Sequence, residues 1–143
     1  MPNWFYLFFH FLYTAGLALW IGGAVALGAL AAPKLFGALP RAEAGAIFGP
    51  ILRRFSRLRL MATVMVIIGA GAIFVKWETH AATAWIAIRW AAIAVLTLTV
   101  VYEIIVLEPA MARRDERFAA LHRRSEMLMK TSLIAAFVAL FFS

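Results

Sequence analysis

The sequence predicts an all-α integral membrane protein: a four-helix bundle with an amphipathic helix in the cytoplasmic interface between spans one and two. Three observations predict it. The chain of 143 residues is 65% apolar and 15% charged, whereas a soluble domain is ~45–50% apolar and ~25% charged. Four apolar stretches have or approach the ~17–25 residues that a helix needs to cross hydrocarbon. The basic residues gather in two clusters beside those stretches, as the positive-inside bias requires. A mean hydropathy of +0.90 excludes a soluble globular domain, a disordered tail and a coiled coil. The length suits one small bundle, a single transmembrane domain over 1–143. With no cysteine there is no disulfide, thiolate metal site or cysteine nucleophile.

Span one covers roughly 4–32 and carries no charged residue. Trp4, Phe5 and Tyr6 fit an aromatic belt at the outer interface. Ala29-Leu30-Ala31 has the shape of a cleavage site, but a charged leading region is missing and the apolar run far exceeds the ~7–15 residues of a signal core. The segment is therefore expected to stay as an anchor. A basic loop, 33–59, follows. In it Pro40 suits a first helical turn, and Ile47, Ile51, Phe55 and Leu58 recur at helical spacing while Arg53, Arg54 and Arg57 point elsewhere. This predicts an interfacial helix that runs into span two, with Pro50 as a kink or break.

Span two (60–75) and span four (127–142) are short, with only about 16 apolar residues against the usual range. Arg59, Lys76 and Lys130 border them and have stems long enough to snorkel. Span three covers 84–107, and a second basic loop covers 108–126. If all four stretches cross, both basic loops share one side. Placing that side in the cytoplasm puts both termini outside and makes the Lys76–His80 turn external.

The net charge is +7. Clustered beside apolar spans, it points to membrane lipids and to anionic headgroups on the cytoplasmic leaflet, contacted by Arg53, Arg54, Arg57, Arg113 and Arg114. Nucleic acid is not an expected partner.

Polar groups inside a membrane are costly, so each is a candidate functional residue. His10 lies about six residues into span one, ~9 Å deep. Arg89 lies at a similar depth in span three. Glu103 lies near the cytoplasmic end of span three beside Tyr102. Arg89 and Glu103 share roughly one helix face but stand ~21 Å apart, too far to pair. His10 and Arg89 are able to meet and frame an outward-facing polar pocket for an anion, a quinone or a headgroup. The plainer reading is that Arg89 snorkels and His10 bonds a backbone carbonyl. For Glu103 the choice lies between a salt bridge to Arg53, Arg57 or Arg113 and a proton or cation site.

Small helical bundles hold heme between histidines, and His10 and His80 both lie toward the outer side. Methionines suit Cu(I), and Met61, Met65, Met127 and Met129 lie toward the inner side near His122. Both residue types have ordinary structural uses, so no cofactor is expected, with heme and copper as the alternatives and any metal site unknown. Hydrolase, P-loop and zinc-protease motifs are missing, and no enzymatic activity is expected. Ala24, Gly28 and Ala32 fall at four-residue intervals, and a run of four small residues starts at Gly69. Both allow close helix contact.

Leu19-Trp20-Ile21-Gly22-Gly23, then Ala32-Pro33-Lys34-Leu35-Phe36, Arg41-Ala42-Glu43-Ala44-Gly45 and the late run from Arg117 to Ser125 form an ordered set. The set resembles the bacterial four-helix membrane family of unknown function of the DUF4149 type. That family is related to the transmembrane protein associated with cisplatin resistance and distantly to the copper-resistance D proteins. The resemblance implies a multi-pass protein of the bacterial inner membrane and carries no activity. Under it Trp20, Gly22, Gly23, Pro33, Phe36, His122 and Ser125 are structural. Gly22 and Gly23 would allow close contact, Pro33 would end the first helix, and His122 and Ser125 would cap or orient the start of the fourth span, an N-cap role that suits serine. The family often has an asparagine four residues after that serine, where this chain has Met129.

These readings lead to an expected role as a small accessory or interaction protein. It would be a homo-oligomer or a peripheral subunit of a larger respiratory or photosynthetic membrane complex. The alternatives are a metal or small-molecule transport or resistance protein, and a heme- or quinone-binding membrane protein.

Overall fold

A backbone in hydrocarbon has no water to bond, so apolar runs of this length satisfy their N–H and C=O groups internally, as helices. In a computed structural model of the chain, residues 3–78, 84–112 and 118–142 are described, and they form four helices. Helix α1 runs over Asn3–Val25, through a π-helical stretch Ala26–Ala31, into Ala32–Ala38. Helix α2 is Arg41–Trp77. Helix α3 runs over Ala84–Tyr102, through a second π-helical stretch Glu103–Leu107, into Glu108–Ala112. Helix α4 is Phe118–Phe141.

Three helices are long and apolar enough to cross a membrane: Asn3–Ala38, Arg41–Trp77 and Ala84–Ala110. Helix α4 has the length, with 24 residues, but Arg123, Arg124, Glu126 and Lys130 occupy its first half. The expected fourth span is thus the apolar half of a longer, partly charged helix.

Pro33 does not end the first helix. A proline lacks an N–H, and its ring crowds the carbonyl four residues back. The chain absorbs both effects by widening the turn before it. Ala32, just ahead of Pro33, donates to the carbonyl of Leu27, five residues back, which is the π-helical spacing. Pro109 is treated in the same way: Glu108 donates to the carbonyl of Glu103. The first helix ends at Leu39, which is extended (φ −125°, ψ 155°) because Pro40 follows it. Ala44 then donates to the carbonyl of Pro40 at 2.9 Å to begin α2.

Pro50 lies inside α2 without breaking it. The expected interfacial helix and second span are therefore one continuous element of 37 residues, ~55 Å long against a hydrocarbon core of ~30 Å. A separate interfacial helix is not seen. Its expected apolar row is also corrected: Ile47 and Ile51 are exposed, and Ala44, Phe48 and Phe55 are the buried positions. Phe48 is covered by an edge-on contact with Phe36, ring centroids 5.9 Å apart.

Helix α1 packs on α2 and α4, and α3 packs on the same two. The buried positions of α1 (Tyr13, Gly16, Leu17, Trp20, Ala24) recur in α3 as Arg89, Ala92, Ile93, Leu96 and Val100. Each pair is 76 positions apart, as are Pro33 and Pro109. The bundle is thus two similar hairpins placed side by side. The outer surface keeps large apolar side chains such as Phe11, Leu98 and Ile134 in the open, a distribution that suits lipid as the solvent.

The closest backbone approach lies between α1 and α2. A Cβ on Gly69 would stand 2.6 Å from the carbonyl oxygen of Phe9 and 2.8 Å from the nitrogen of Tyr13. A Cβ on Gly16 would stand 2.7 Å from the carbonyl oxygen of Ala62. Gly23 faces the ring of Phe55, whereas Gly22 and Gly28 face open space. The expected contact at Gly69 and Gly23 is present. Gly22 and Gly28 make none among the described residues, Ala24 is buried, and Ala32 is half-buried.

Gly69→Ala should lower the unfolding midpoint in detergent, because added bulk against a backbone typically costs ~1–3 kcal/mol. Gly28→Ala should hold or raise the midpoint, since Ala gains ~0.5–1 kcal/mol over Gly in a helix.

Candidate functional site

The buried charged groups form two centres, one at each end of the bundle. The first lies where the basic residues gather. Arg59 is buried to 2% exposure and Glu103 to 5%, although both were expected at an interface. Arg59 Nη2 stands 2.7 Å from Glu103 Oε2 and donates to Ser56 Oγ at 3.1 Å. Arg59 Nη1 donates to Met129 Sδ at 3.7 Å. Glu103 Oε1 accepts from Ser125 Oγ at 2.8 Å. The guanidinium lies over two aromatic faces, 5.2 Å from the Phe55 ring and 5.5 Å from the Trp20 ring, where the ring quadrupoles attract a cation. The partner of Glu103 is therefore Arg59, and of the expected partners Arg53 and Arg57 are exposed while Arg113 lies outside the described residues. Arg54 is likewise exposed on α2.

Ser125 is not an N-cap. Helix α4 starts at Phe118, which places Ser125 two turns inside, where its hydroxyl serves Glu103. Tyr102, half-buried, accepts from Arg124 Nη1 at 3.4 Å. The side chain of His122 lies outside the described residues, as do Arg113, Arg114 and His80.

The second centre lies at the opposite end. Arg89, 6% exposed, makes a two-pronged pair with Glu78, with Nη1 to Oε1 at 3.0 Å and Nη2 to Oε2. Arg89 therefore neither snorkels nor pairs with His10. Glu78, just past α2, neutralises it. His10 is half-buried and stacks on Tyr6, with ring centroids 5.7 Å apart. Both line a cavity of about 270 Å3 together with Tyr13, Glu78, Trp85 and Arg89. The expected meeting of His10 and Arg89 is thus a shared wall. Tyr13 donates to the carbonyl of Ala139 at 2.6 Å, tying α1 to α4.

Midway, Ser132 donates to Thr99 Oγ1 at 2.6 Å, and Thr99 donates to the carbonyl of Val95 at 2.8 Å. Both residues are buried. Among the described residues no cluster of three or more histidine, aspartate or glutamate side chains is placed to hold a metal ion. Met129, one of the candidate soft ligands, presents its sulfur to a guanidinium. Met61 and Met127 are exposed.

Sequence reasoning missed Arg59, Glu78 and Gly16. A signal for Arg59 was present. The row Phe55, Arg59, Ala62, Val66, Gly69, Ile73 has helical spacing, and all six residues are buried. Glu78 offered only its position as a carboxylate near the turn from which Arg89 starts.

A family model described as a domain of unknown function, DUF4149, matches residues 15–120, and the chain belongs to that family. No curated protein and no solved structure matches. The matched segment contains Trp20, Arg59 and Glu103, three members of the first centre.

Removing Ser125's hydroxyl (Ser125→Ala) leaves a buried carboxylate oxygen without its donor, a loss of ~1–3 kcal/mol that should appear as a lower unfolding midpoint. Met129→Asn should move the midpoint the other way, because an amide oxygen is a better acceptor than a thioether for Arg59 Nη1.

Proposed function

We propose that this DUF4149 protein is a non-enzymatic accessory protein of a bacterial cytoplasmic membrane, acting by lateral contact with other membrane subunits or with further copies of itself. The observation that carries this reading is the distal part of α1. No residue from 26 to 38 is buried, so about 20 Å of helix has only partial cover within the chain, from Leu27 against the core and Phe36 against Phe48. It is apolar and rich in alanine and glycine, the composition that lets helix backbones approach closely in lipid. The arrangement of charge agrees with a scaffold role. Arg59 and Arg89, the buried arginines among the described residues, are each neutralised by a carboxylate within the chain, as a structural use of intramembrane charge requires.

In this reading the end bearing Arg41, Arg53, Arg54 and Arg57 faces the cytoplasm and its anionic lipids. Both termini then lie outside. The absence of native cysteine makes this simple to check. Asn3→Cys should react with an impermeant maleimide in intact cells, and Arg41→Cys only after permeabilisation.

The test of the role is native mass spectrometry after gentle extraction from the native membrane. A heavier assembly, either of larger subunits or of several copies, is expected. Gly28→Trp, which places bulk on the partly covered arm, should disperse it without lowering the unfolding midpoint of the single chain. A wild-type protein that runs as a bare monomer contradicts the proposal.

A further inference from the structure

The cavity beside the Arg89–Glu78 pair is a second feature, independent of the partly covered arm. We infer that it is a binding site for the head group of a membrane quinone: a neutral, planar, carbonyl-bearing ring whose apolar tail stays in the bilayer.

Size sets the first limit. The cavity measures about 270 Å3, below the ~300–1,000 Å3 of pockets that enclose a whole drug-sized ligand. It suits a single ring and leaves the rest of the ligand outside. Its position agrees. It lies at the end of the bundle among residues of α1, α2 and α3, with Phe142 just past α4, the same end as the exposed aromatic residues Trp4, Tyr6, Trp77 and Trp85. Such residues mark the level where hydrocarbon meets headgroups.

Charge sets the second limit. Among the described residues, Arg89 and Glu78 are the only Lys, Arg, Asp or Glu residues lining the cavity, and they neutralise each other through two bonds. An anionic phosphate would have to compete with Glu78 for a guanidinium already engaged, and a cation would have to compete with Arg89. A neutral ligand displaces neither.

Hydrogen bonding and shape set the third. Arg89 Nε is buried and has no hydrogen-bond partner among the described residues. That nitrogen is shielded from the cavity by its own burial, so the polar side chain open to an acceptor is half-buried His10 on α1, whose imidazole carries an N–H. The other surfaces are ring faces and edges: Tyr6 stacked on His10, and Trp85 against Phe142 at 5.4 Å. Aromatic walls favour offset or edge-on packing with another flat ring. A planar ring with carbonyl acceptors and no charge meets all three limits.

The test is titration of the full-length protein in dodecyl maltoside with decylubiquinone, read by tryptophan fluorescence, since Trp85 lines the site. Saturable quenching at one quinone per chain is expected. His10→Phe, which keeps the stack on Tyr6, should raise Kd about tenfold, ~1.4 kcal/mol. Ile86→Phe, which fills the cavity from α3, should abolish saturation. Phe8→Leu on the exposed face of α1 should change nothing. The unfolding midpoint of each variant checks that it is folded. Quenching that rises linearly without saturating overturns the proposal, as does equal quenching of wild type and both cavity variants. A phospholipid retained by the wild type in native mass spectra, lost in Ile86→Phe and not displaced by decylubiquinone, assigns the cavity to a headgroup instead.

Discussion

The bundle depends on one buried ion pair. Arg59 and Glu103 lie 2.7 Å apart, and every helix contributes to their surroundings. Helix α1 gives the Trp20 ring, α2 gives Phe55 and Ser56, α3 gives the carboxylate, and α4 gives Ser125 and Met129. An isolated charge at such a position carries a desolvation penalty of several kcal/mol, which a partner offsets only with good geometry and further hydrogen bonds. Here the pair gains further bonds from Ser56, Met129 and Ser125, with Arg59 Nε left without a partner among the described residues. The same low dielectric that makes the pair strong makes either half alone very costly. The helices are thereby held in one mutual register, a specification that apolar packing in lipid supplies weakly, because lipid tails are as apolar as the side chains.

This constraint explains features that look local. Glu103 opens the π-helical stretch ahead of Pro109, and a widened turn there changes the direction in which the carboxylate leaves α3. Gly16 and Gly69 let α1 and α2 approach to backbone contact within the hairpin that carries Trp20 and Arg59. The second pair, Arg89 with Glu78, sits where the bundle opens, and beside it the helices leave a cavity instead of a filled core. One end of the bundle is thus packed around a charge pair, and at the other a charge pair borders a cavity.

Much of this was legible in the sequence. Apolar run lengths and basic clusters gave the four helices, because a backbone in lipid has few alternatives. His10, Arg89, Glu103 and Tyr102 stood out because polar residues in apolar runs are rare; the structure places the first three at one centre or the other, and Tyr102 bonds the exposed Arg124. The partners were not legible. Arg59 borders an apolar run and looks like an anchor, and only the burial of its helical row shows that it turns inward. Glu78 looks like a solvated turn residue until α3 returns beside it. Ser125 has a residue type that suits a cap, and its role changed because α4 begins earlier than its apolar half suggests. Pro33 read as the end of a helix and Pro50 as a kink or break. A π-helical turn accommodates the first, and α2 continues through the second. In each case the missing information was tertiary: which face meets which neighbour.

The claim that the Arg59–Glu103 pair locks the bundle is tested most directly by a double-mutant cycle in detergent, with Arg59→Met, Glu103→Leu and their combination. The pair predicts that each single variant loses ~3–5 kcal/mol by stranding the opposite charge, and that the double variant recovers most of the loss, since apolar replacement of a whole buried pair is often neutral or better. Additive losses, or a Glu103→Leu protein as stable as the wild type, would contradict it.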